Sequence, residues 1–338
     1  MSILPAASPV RLGIIGYGIM GERLLRAALA HDPAAIAVAG LWDPSAAAMQ
    51  RLAADLPRVR GLASAEAVIA ACDCLYIASP PAFHLGYARA AIAAGRAVFC
   101  EKPLAVDLKD TQSFVAETAS ANGSSGARGA VNFPFTSMQG VAQLKRWMDD
   151  GRVGTVQRLS VEIGFAHWPR PWQMDAESWL DARQQGGFTR EVGSHFLFLA
   201  RRLFGPLVLK QHSVAYPEAG RSERTIAATM MAGNLPLQLQ GGVGTTDKPD
   251  HNIFLIEGDA GAIRLRDWAV AEYRDADGNW QPAPEAMPNE KARPLVLRDQ
   301  LDKVAAMTAG RPAPAGLALA SFREAAEVQT VVETILAG

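Results

Sequence analysis

In the first 131 residues, short continuous apolar runs alternate with stretches of helical spacing. Val10 to Ile15, Ile36 to Trp42, Cys74 to Ala78, Ala97 to Cys100 and Ala127 to Val131 are too short for helices and are bounded by turn residues, so each reads as a buried strand. Between them, Met20, Leu24, Ala27 and Ala28 share one side of a helix that His31-Asp32-Pro33 stops. A second helix opens at Pro44, and others run from Ala82 to Ala94, ended by Gly95, and from Leu108 to Asn122. Strands without polar alternation are covered on both faces. The pattern therefore predicts an α/β fold with a doubly wound parallel sheet.

The pattern changes at Asn132. A helix from Ser137 to Asp150, capped by Gly151, precedes a strand from Val156 to Phe165. Val192, Phe196, Leu199 and Leu203 recur at helical spacing and form a core-facing stripe. Ile226 to Met231, Leu237 to Gly241 and Ile253 to Glu257 are short alternating segments separated by turn residues. They predict a large open, mostly antiparallel sheet, closed by a helix from Ala320 to Leu336. Gly123-Ser124-Ser125-Gly126 is the most flexible composition in the chain and lies near the junction. Since Ala127 to Val131 still adds a strand to the first sheet, the expected division is 1–131, a dinucleotide-binding domain, and 132–338, an α+β domain for substrate binding and oligomerisation.

Composition narrows the classes. With 338 residues, 49% apolar and 20% charged, the chain is long enough for two cores and is not of disordered composition. A formal net charge of -1 leaves no footprint for nucleic acid or an anionic membrane. Cys72, Cys74 and Cys100 are too few for a disulfide framework. The N-terminus has no basic segment followed by an apolar one, and no stretch approaches a membrane span, so a cytoplasmic protein is expected. His84, His167, His195, His212 and His251 show no ligand spacing, and no metal is expected.

Candidate chemistry gathers at the strand ends. The first strand runs into Gly16-Tyr17-Gly18-Ile19-Met20-Gly21 and then a helix, the setting that the G-x-G-x-x-G dinucleotide fingerprint requires. Gly16 allows the tight turn, Gly18 lets the backbone approach a pyrophosphate, and Gly21 lets helix and strand pack closely. The phosphates would rest on the helix N-terminus. Asp43 ends the second strand 22 residues beyond Gly21. A carboxylate there suits ribose hydroxyls and repels a 2′-phosphate, which favours NAD(H) over NADP(H); the other reading makes Asp43 a helix N-cap. The next strand breaks at Ser79-Pro80-Pro81, a rigid rim beside His84. The run Ala97 to Cys100 stops at Glu101-Lys102-Pro103, which places Lys102 where cofactor and substrate would meet.

In the second half, Trp168, Arg170 and Trp172 occupy a proline-broken loop that would either wall a polar small molecule or pack the loop down. Glu191 and His195 stand four apart beside the helical stripe and after the paired glycines Gly186-Gly187. An imidazole is a suitable proton carrier near neutral pH, and a neighbouring carboxylate can fix its tautomer.

GYGIMG, ASPPAFH and AIAAGRAVFCEKPL together resemble the Gfo/Idh/MocA family, nicotinamide-dependent oxidoreductases named for glucose-fructose oxidoreductase and inositol dehydrogenase. GGFTREVGSHFLFLARRLFG is similar to that family's second signature, with Glu191 where the family more often has aspartate. The resemblance covers nearly the whole chain. It implies that Lys102 lies by the nicotinamide and the substrate hydroxyl, that His195 is the general acid/base and that Glu191 flanks it. It also implies a sugar, cyclitol or related polyol as substrate, bound between the domains, and a homo-oligomer (dimer or tetramer) formed through the open sheet. Gly16 to Gly21, Asp43, Ser79, Pro80, His84, Glu101 and Lys102 are the expected cofactor contacts. Lys102, Trp168, Arg170, Trp172, Glu191 and His195 are the expected substrate contacts. Two rivals are a non-catalytic dinucleotide-binding sensor, against which the pairing of Lys102 with His195 argues, and a dehydrogenase of a non-sugar alcohol such as a dihydrodiol.

Overall fold

The computed structural model describes residues 8–120 and 128–338. The flexible composition at Gly123 to Gly126, the final residues of the helix expected to reach Asn122, and Ala127 lie outside the described residues.

Five short strands form one parallel sheet: β1 (Val10–Ile15), β2 (Ile36–Trp42), β3 (Cys74–Ile77), β4 (Ala97–Cys100) and β5 (Gly129–Val131). Their order is β2-β1-β3-β4-β5. β3 and β4 are buried at every position, which is why their sequences do not alternate. The connections carry α1 (Ile19–Leu29), α2 (Ala46–Asp55), α3 (Ala65–Ala71), α4 (His84–Ala93) and α5 (Leu108–Ser120). The chain runs outward from β1 to β2 and then returns past β1 to β3, so the order reverses between β1 and β3. A ligand of such a sheet binds beyond the carboxyl ends of these two strands.

The second sheet has eight strands: β6 (Val156–Phe165), β7 (Leu207–Ala215), β8 (Thr225–Ala232), β9 (Leu235–Val243), β10 (His251–Gly258), β11 (Ala262–Arg266), β12 (Val270–Arg274) and β13 (Trp280–Pro282). The order is β13-β12-β11-β10-β6-β9-β8-β7, antiparallel at every step except β6 with β9. Ile226, Ala228 and Met230 of β8 and Leu237 and Leu239 of β9 face the core, alternating with exposed residues. Helices α6 (Gln139–Asp149), the one-turn α7 (Glu177–Leu180) and α8 (Ser194–Phe204) accompany this sheet. A five-residue π-helical turn, Thr189–Gly193, leads into α8.

The large sheet ends at β13, and a 20-residue helix, α9 (Asn289–Thr308), follows where the pattern predicts no element. Pro294 lies inside it, and its apolar residues form no single stripe, so neither the period nor the breaker rule points to a helix. The closing helix is α10 (Phe322–Ala337). Leu301, Val304 and Ala305 of α9 share one buried cluster with Leu12 and Ile14 of β1, Tyr76 of β3 and Phe99 of β4.

The compact units therefore do not follow a single cut after residue 131. One comprises Met1–Thr136 with Pro294–Ala326, and the other Ser137–Arg293 with Glu327–Gly338. Among the described residues, no helix is long and apolar enough to cross a membrane.

Candidate active site

The turn after β1 is shaped by what each glycine excludes. Gly16 has φ +103°, and a Cβ there would lie 2.6 Å from the Ala78 carbonyl oxygen, so side chains are barred where β1 and β3 end together. A Cβ on Gly21 would lie 2.0 Å from the Gly16 carbonyl oxygen, so the first turn of α1 sits directly on the loop. Gly18 differs: a Cβ there would meet no atom within 4 Å. Among the described residues nothing demands glycine at Gly18, whereas a pyrophosphate lying against the backbone does. Gly18 is also the N-cap of α1 and offers no side-chain acceptor, leaving the helix N-terminus open to an anion. The turn thus fits a dinucleotide. Ile19 and Met20, the first residues of α1, are half-buried.

Tyr17 contributes its backbone to this turn, not its ring. The side chain is fully buried, and the Arg51 guanidinium lies 4.9 Å from its ring centre. Its amide N–H donates to Asp43 Oδ2 at 2.7 Å, and the Ser45 N–H donates to Asp43 Oδ1 at 2.8 Å. Asp43 is not the cap of the following helix: α2 starts at Ala46, and Ser45 Oγ accepts from the Ala48 N–H. The two amides fix the Asp43 carboxylate at the end of β2 and leave further lone pairs for hydroxyl donors.

Beyond β3 and β4 the structure separates residues that the sequence groups together. Ser79 is half-buried and Pro80 exposed at the end of β3. His84 is 1% exposed; its Nε2 lies 2.7 Å from the Ser79 carbonyl oxygen and its Nδ1 2.9 Å from that of Pro103. Both ring nitrogens therefore face backbone of this chain, and His84 braces the two loops where a direct cofactor contact was expected. Burial pushes its pKa down, the two carbonyls oppose this, and the Lys102 charge adds to the fall. Glu101 also turns inward, accepting from the Tyr76 hydroxyl and, at 2.7 Å, from Asn132 Nδ2, whose own Oδ1 accepts from Gln300 Nε2 at 2.6 Å. Glu101 is thus a core anchor of the Glu101-Lys102-Pro103 turn. Lys102, between these fixed neighbours, is half-buried, and the Lys102–Pro103 peptide is cis.

In the other unit, His195 is 6% exposed and lies in the first turn of α8. Its ring meets the Trp268 ring edge to face, centroids 5.3 Å apart. Glu191, in the π-helical turn, is half-buried; such turns are frequent at functional sites. The tryptophan loop divides. Trp168 is buried, meets the Phe165 ring edge to face with centroids 5.0 Å apart and donates from Nε1 to the Leu180 carbonyl at 3.2 Å, so it packs the loop. Arg170 is buried in an ion pair with Asp250 at 2.6 Å and lies 4.7 Å from the centre of Trp172, which is 44% exposed.

Asp250 Oδ2 also accepts from Trp268 Nε1 at 3.0 Å. Arg170, Asp250, Trp268 and His195 therefore form one chain of contacts that sequence reading does not assemble. A signal existed for Trp268: with Asp267 it turns the β11–β12 hairpin at positive φ (74° and 49°), rare for large side chains and common at functional sites. Asp250 carries none.

The three cysteines are buried, with the Cys72 thiol pushed up to about 11 and Cys74 to about 12 by burial, so no thiolate nucleophile is poised. Among the described residues, no cluster of three or more His, Cys, Asp or Glu could hold a metal ion.

Comparison with known proteins agrees with this geometry. A family described as an oxidoreductase family with NAD-binding Rossmann fold, GFO/IDH/MocA, matches residues 10–125, and the GFO/IDH/MocA C-terminal domain matches residues 141–264. The 2,7-anhydro-N-acetylneuraminate hydratase of Escherichia coli is 25% identical over 78% of this chain and 62% of its own length. Inositol 2-dehydrogenase 3 of Saccharopolyspora erythraea is 32% identical over 43% of this chain and 42% of its own. The chain thus spans less than two thirds of either relative. An oxidoreductase from Agrobacterium radiobacter, solved with NAD+, L-tartaric acid and magnesium, shares the fold with a TM-score of 0.79 at 15% identity, covering 98% of this chain and 97% of that one. With both family domains matched in order along one sequence, and the glycine turn and Lys102 at the strand ends of the first, this chain belongs to the GFO/IDH/MocA family.

Proposed function

We propose that the protein is an NAD-dependent oxidoreductase acting on the CH–OH group of a sugar, cyclitol or related polyol, or on the corresponding ketone. The observation that carries this reading is Lys102 at the end of β4, one strand from the β1–β3 reversal, where the turn leaves open space over Gly18. The N–H groups opening α1 would hold the pyrophosphate, and Asp43 the adenosine ribose hydroxyls. Held by the Tyr17 and Ser45 amides, the Asp43 carboxylate disfavours a 2′-phosphate, which supports NAD(H) over NADP(H).

Nicotinamide, when bound, supplies the hydride acceptor or donor. In the oxidation direction His195 takes the hydroxyl proton, and in reduction it returns that proton to the alkoxide. Lys102 donates a hydrogen bond to the same oxygen and stabilises its developing negative charge. Glu191 orients the imidazole, while Arg170 and the exposed face of Trp172 contact the polar body of the substrate. Relatives named inositol 2-dehydrogenase support the cyclitol and sugar class. The relative matched over 78% of the chain is named a 2,7-anhydro-N-acetylneuraminate hydratase, so addition of water to an anhydro sugar is the second reaction to assay.

The test begins with fluorescence titration of NADH and NADPH, followed by a screen of polyols, sugars and ketoses for NADH formation or consumption. Lys102→Ala is expected to lower turnover by about 10³-fold or more while NADH still binds. Full activity in that variant refutes the assigned role. A chain that binds NADH but turns over nothing in the panel refutes the enzyme reading.

A further inference from the structure

We infer that Glu223 is the positioning residue for the segment carrying Glu191 and His195, an inference that rests on reading His195 as the acid/base group. Glu223, just before β8, is 1% exposed. Its Oε1 accepts from the Thr189 amide at 2.7 Å and from Thr189 Oγ1 at 2.6 Å.

Thr189 opens the π-helical turn that leads into α8. A helix start leaves its first N–H groups without partners inside the helix, and a side chain at the N-cap ordinarily takes one of them. Here the N-cap is Phe188, which has no acceptor to offer. The Glu223 carboxylate, 34 residues away in sequence, takes that place, and its negative charge sits at the positive end of the helix dipole.

Gly187 makes room for it, and Gly186 lets the chain pass close to the Leu180 backbone. Gly187 has φ +100°, and a Cβ there would lie 2.1 Å from Glu223 Oε2. A Cβ on Gly186 would lie 2.0 Å from the Leu180 carbonyl oxygen. Arg190 secures the same turn from its other side, donating to the Gly186 carbonyl at 2.7 Å and to both carboxylate oxygens of Glu333 at 2.7 Å. Burial raises the Glu223 pKa, while the two Thr189 bonds and the nearby Arg190 charge act against that rise. The turn is thus held by an acidic and a basic anchor on its first two residues; Glu191 comes directly after them and His195 follows in the first turn of α8. A carboxylate that only filled space would affect stability alone. One that aims the turn also sets the surroundings of His195.

The deciding measurement is an NMR titration of the full-length protein labelled at histidine Cε1, with the His195 signal assigned by its loss in His195→Asn. Glu223→Ala is expected to move the His195 midpoint by about half a unit or more. Thr189→Val, which removes one of the two bonds and keeps the backbone, is expected to move it less in the same direction. Glu223→Gln keeps an oxygen for both Thr189 donors and is expected to restore the wild-type midpoint. If Glu223→Ala does not fold, Thr189→Val and Glu223→Gln decide the matter between them. The inference is overturned if the folded variants lose thermal stability with the His195 titration unmoved, or if Glu223→Gln titrates like Glu223→Ala. No substrate enters this measurement, so its outcome stands apart from whether any polyol is turned over. Where the wild type does turn over a polyol, Glu223→Ala should lower kcat by about 10–100-fold with NADH affinity unchanged.

Discussion

His84 has two acceptors around it and, as a neutral imidazole, one N–H to give them. A second proton would satisfy both carbonyls, but burial and the Lys102 charge oppose it, and the net direction is a lowered pKa. The unfolded chain therefore takes up a proton on this histidine at a higher pH, near 6.5, than the folded one does. Its contribution to stability is fully present above that value and is lost as pH falls from there through the folded pKa. Melting temperatures at pH 5.5 and 7.5 are expected to differ more for the wild type than for His84→Asn, because other titrating groups contribute equally to both proteins. Equal differences would show that His84 does not titrate in this window. The first-turn position beside the double proline was legible in the sequence. What the ring faces was not, since Ser79 and Pro103 approach it from two loops 24 residues apart.

At the scale of elements, what could be read was what depends on neighbours along the chain. The glycine turn is such a case, because Gly16 and Gly21 answer constraints within a few residues or at the adjoining strand end. Its parts separate experimentally. Gly21→Ala forces a Cβ to within 2.0 Å of the Gly16 carbonyl and is expected to disrupt the turn and lower the melting temperature. Gly18→Ala meets nothing within 4 Å, so its melting temperature should stay within about 2 °C of wild type, as for an ordinary surface substitution. NADH affinity should nevertheless fall by about tenfold or more, the cost of a methyl where the pyrophosphate must approach. Undiminished NADH affinity in Gly18→Ala would place the phosphates elsewhere. The α8 stripe was equally legible from Val192, Phe196 and Leu199, all buried. The anchor of its first turn was not, because Glu223 reaches Thr189 from the loop before β8 and stands in no pattern with it. Trp168 and Trp172 show the same limit: both readings of that loop were open, and the structure gives packing to the first and exposure to the second.

For the whole molecule, the parallel-sheet unit is not the first stretch of the chain but that stretch completed by Pro294–Ala326. The reason is surface. β1, β3 and β4 are apolar on both faces, and part of their cover is α9, whose Leu301 is fully buried in the same cluster as Leu12, Tyr76 and Phe99. Gln300, the residue before it, reaches Asn132 and through it Glu101, so the late helix also tethers the turn that presents Lys102. A sequence shows the demand for cover in its unbroken strand runs, but not which distant segment supplies it, least of all when that segment carries a proline and no clean stripe. Leu301→Ala removes three buried carbons and is expected to cost about 2–5 kcal/mol, a fall of several degrees in melting temperature. Because the lost packing belongs to the unit proposed to bind NADH, saturating NADH should recover part of that fall by mass action. Leu197→Ala is the control, an equally buried leucine of α8 in the other unit. In the Leu301 variant, NADH is expected to raise the melting temperature of the transition that the mutation lowered. In the Leu197 variant, the mutation-lowered transition should not respond to NADH, provided the two units melt separately in calorimetry. If the units melt separately and NADH rescues both variants alike, or if Leu301→Ala leaves the NADH-responsive transition untouched, then α9 is not part of the nucleotide-binding unit's core and the division drawn from the contacts fails.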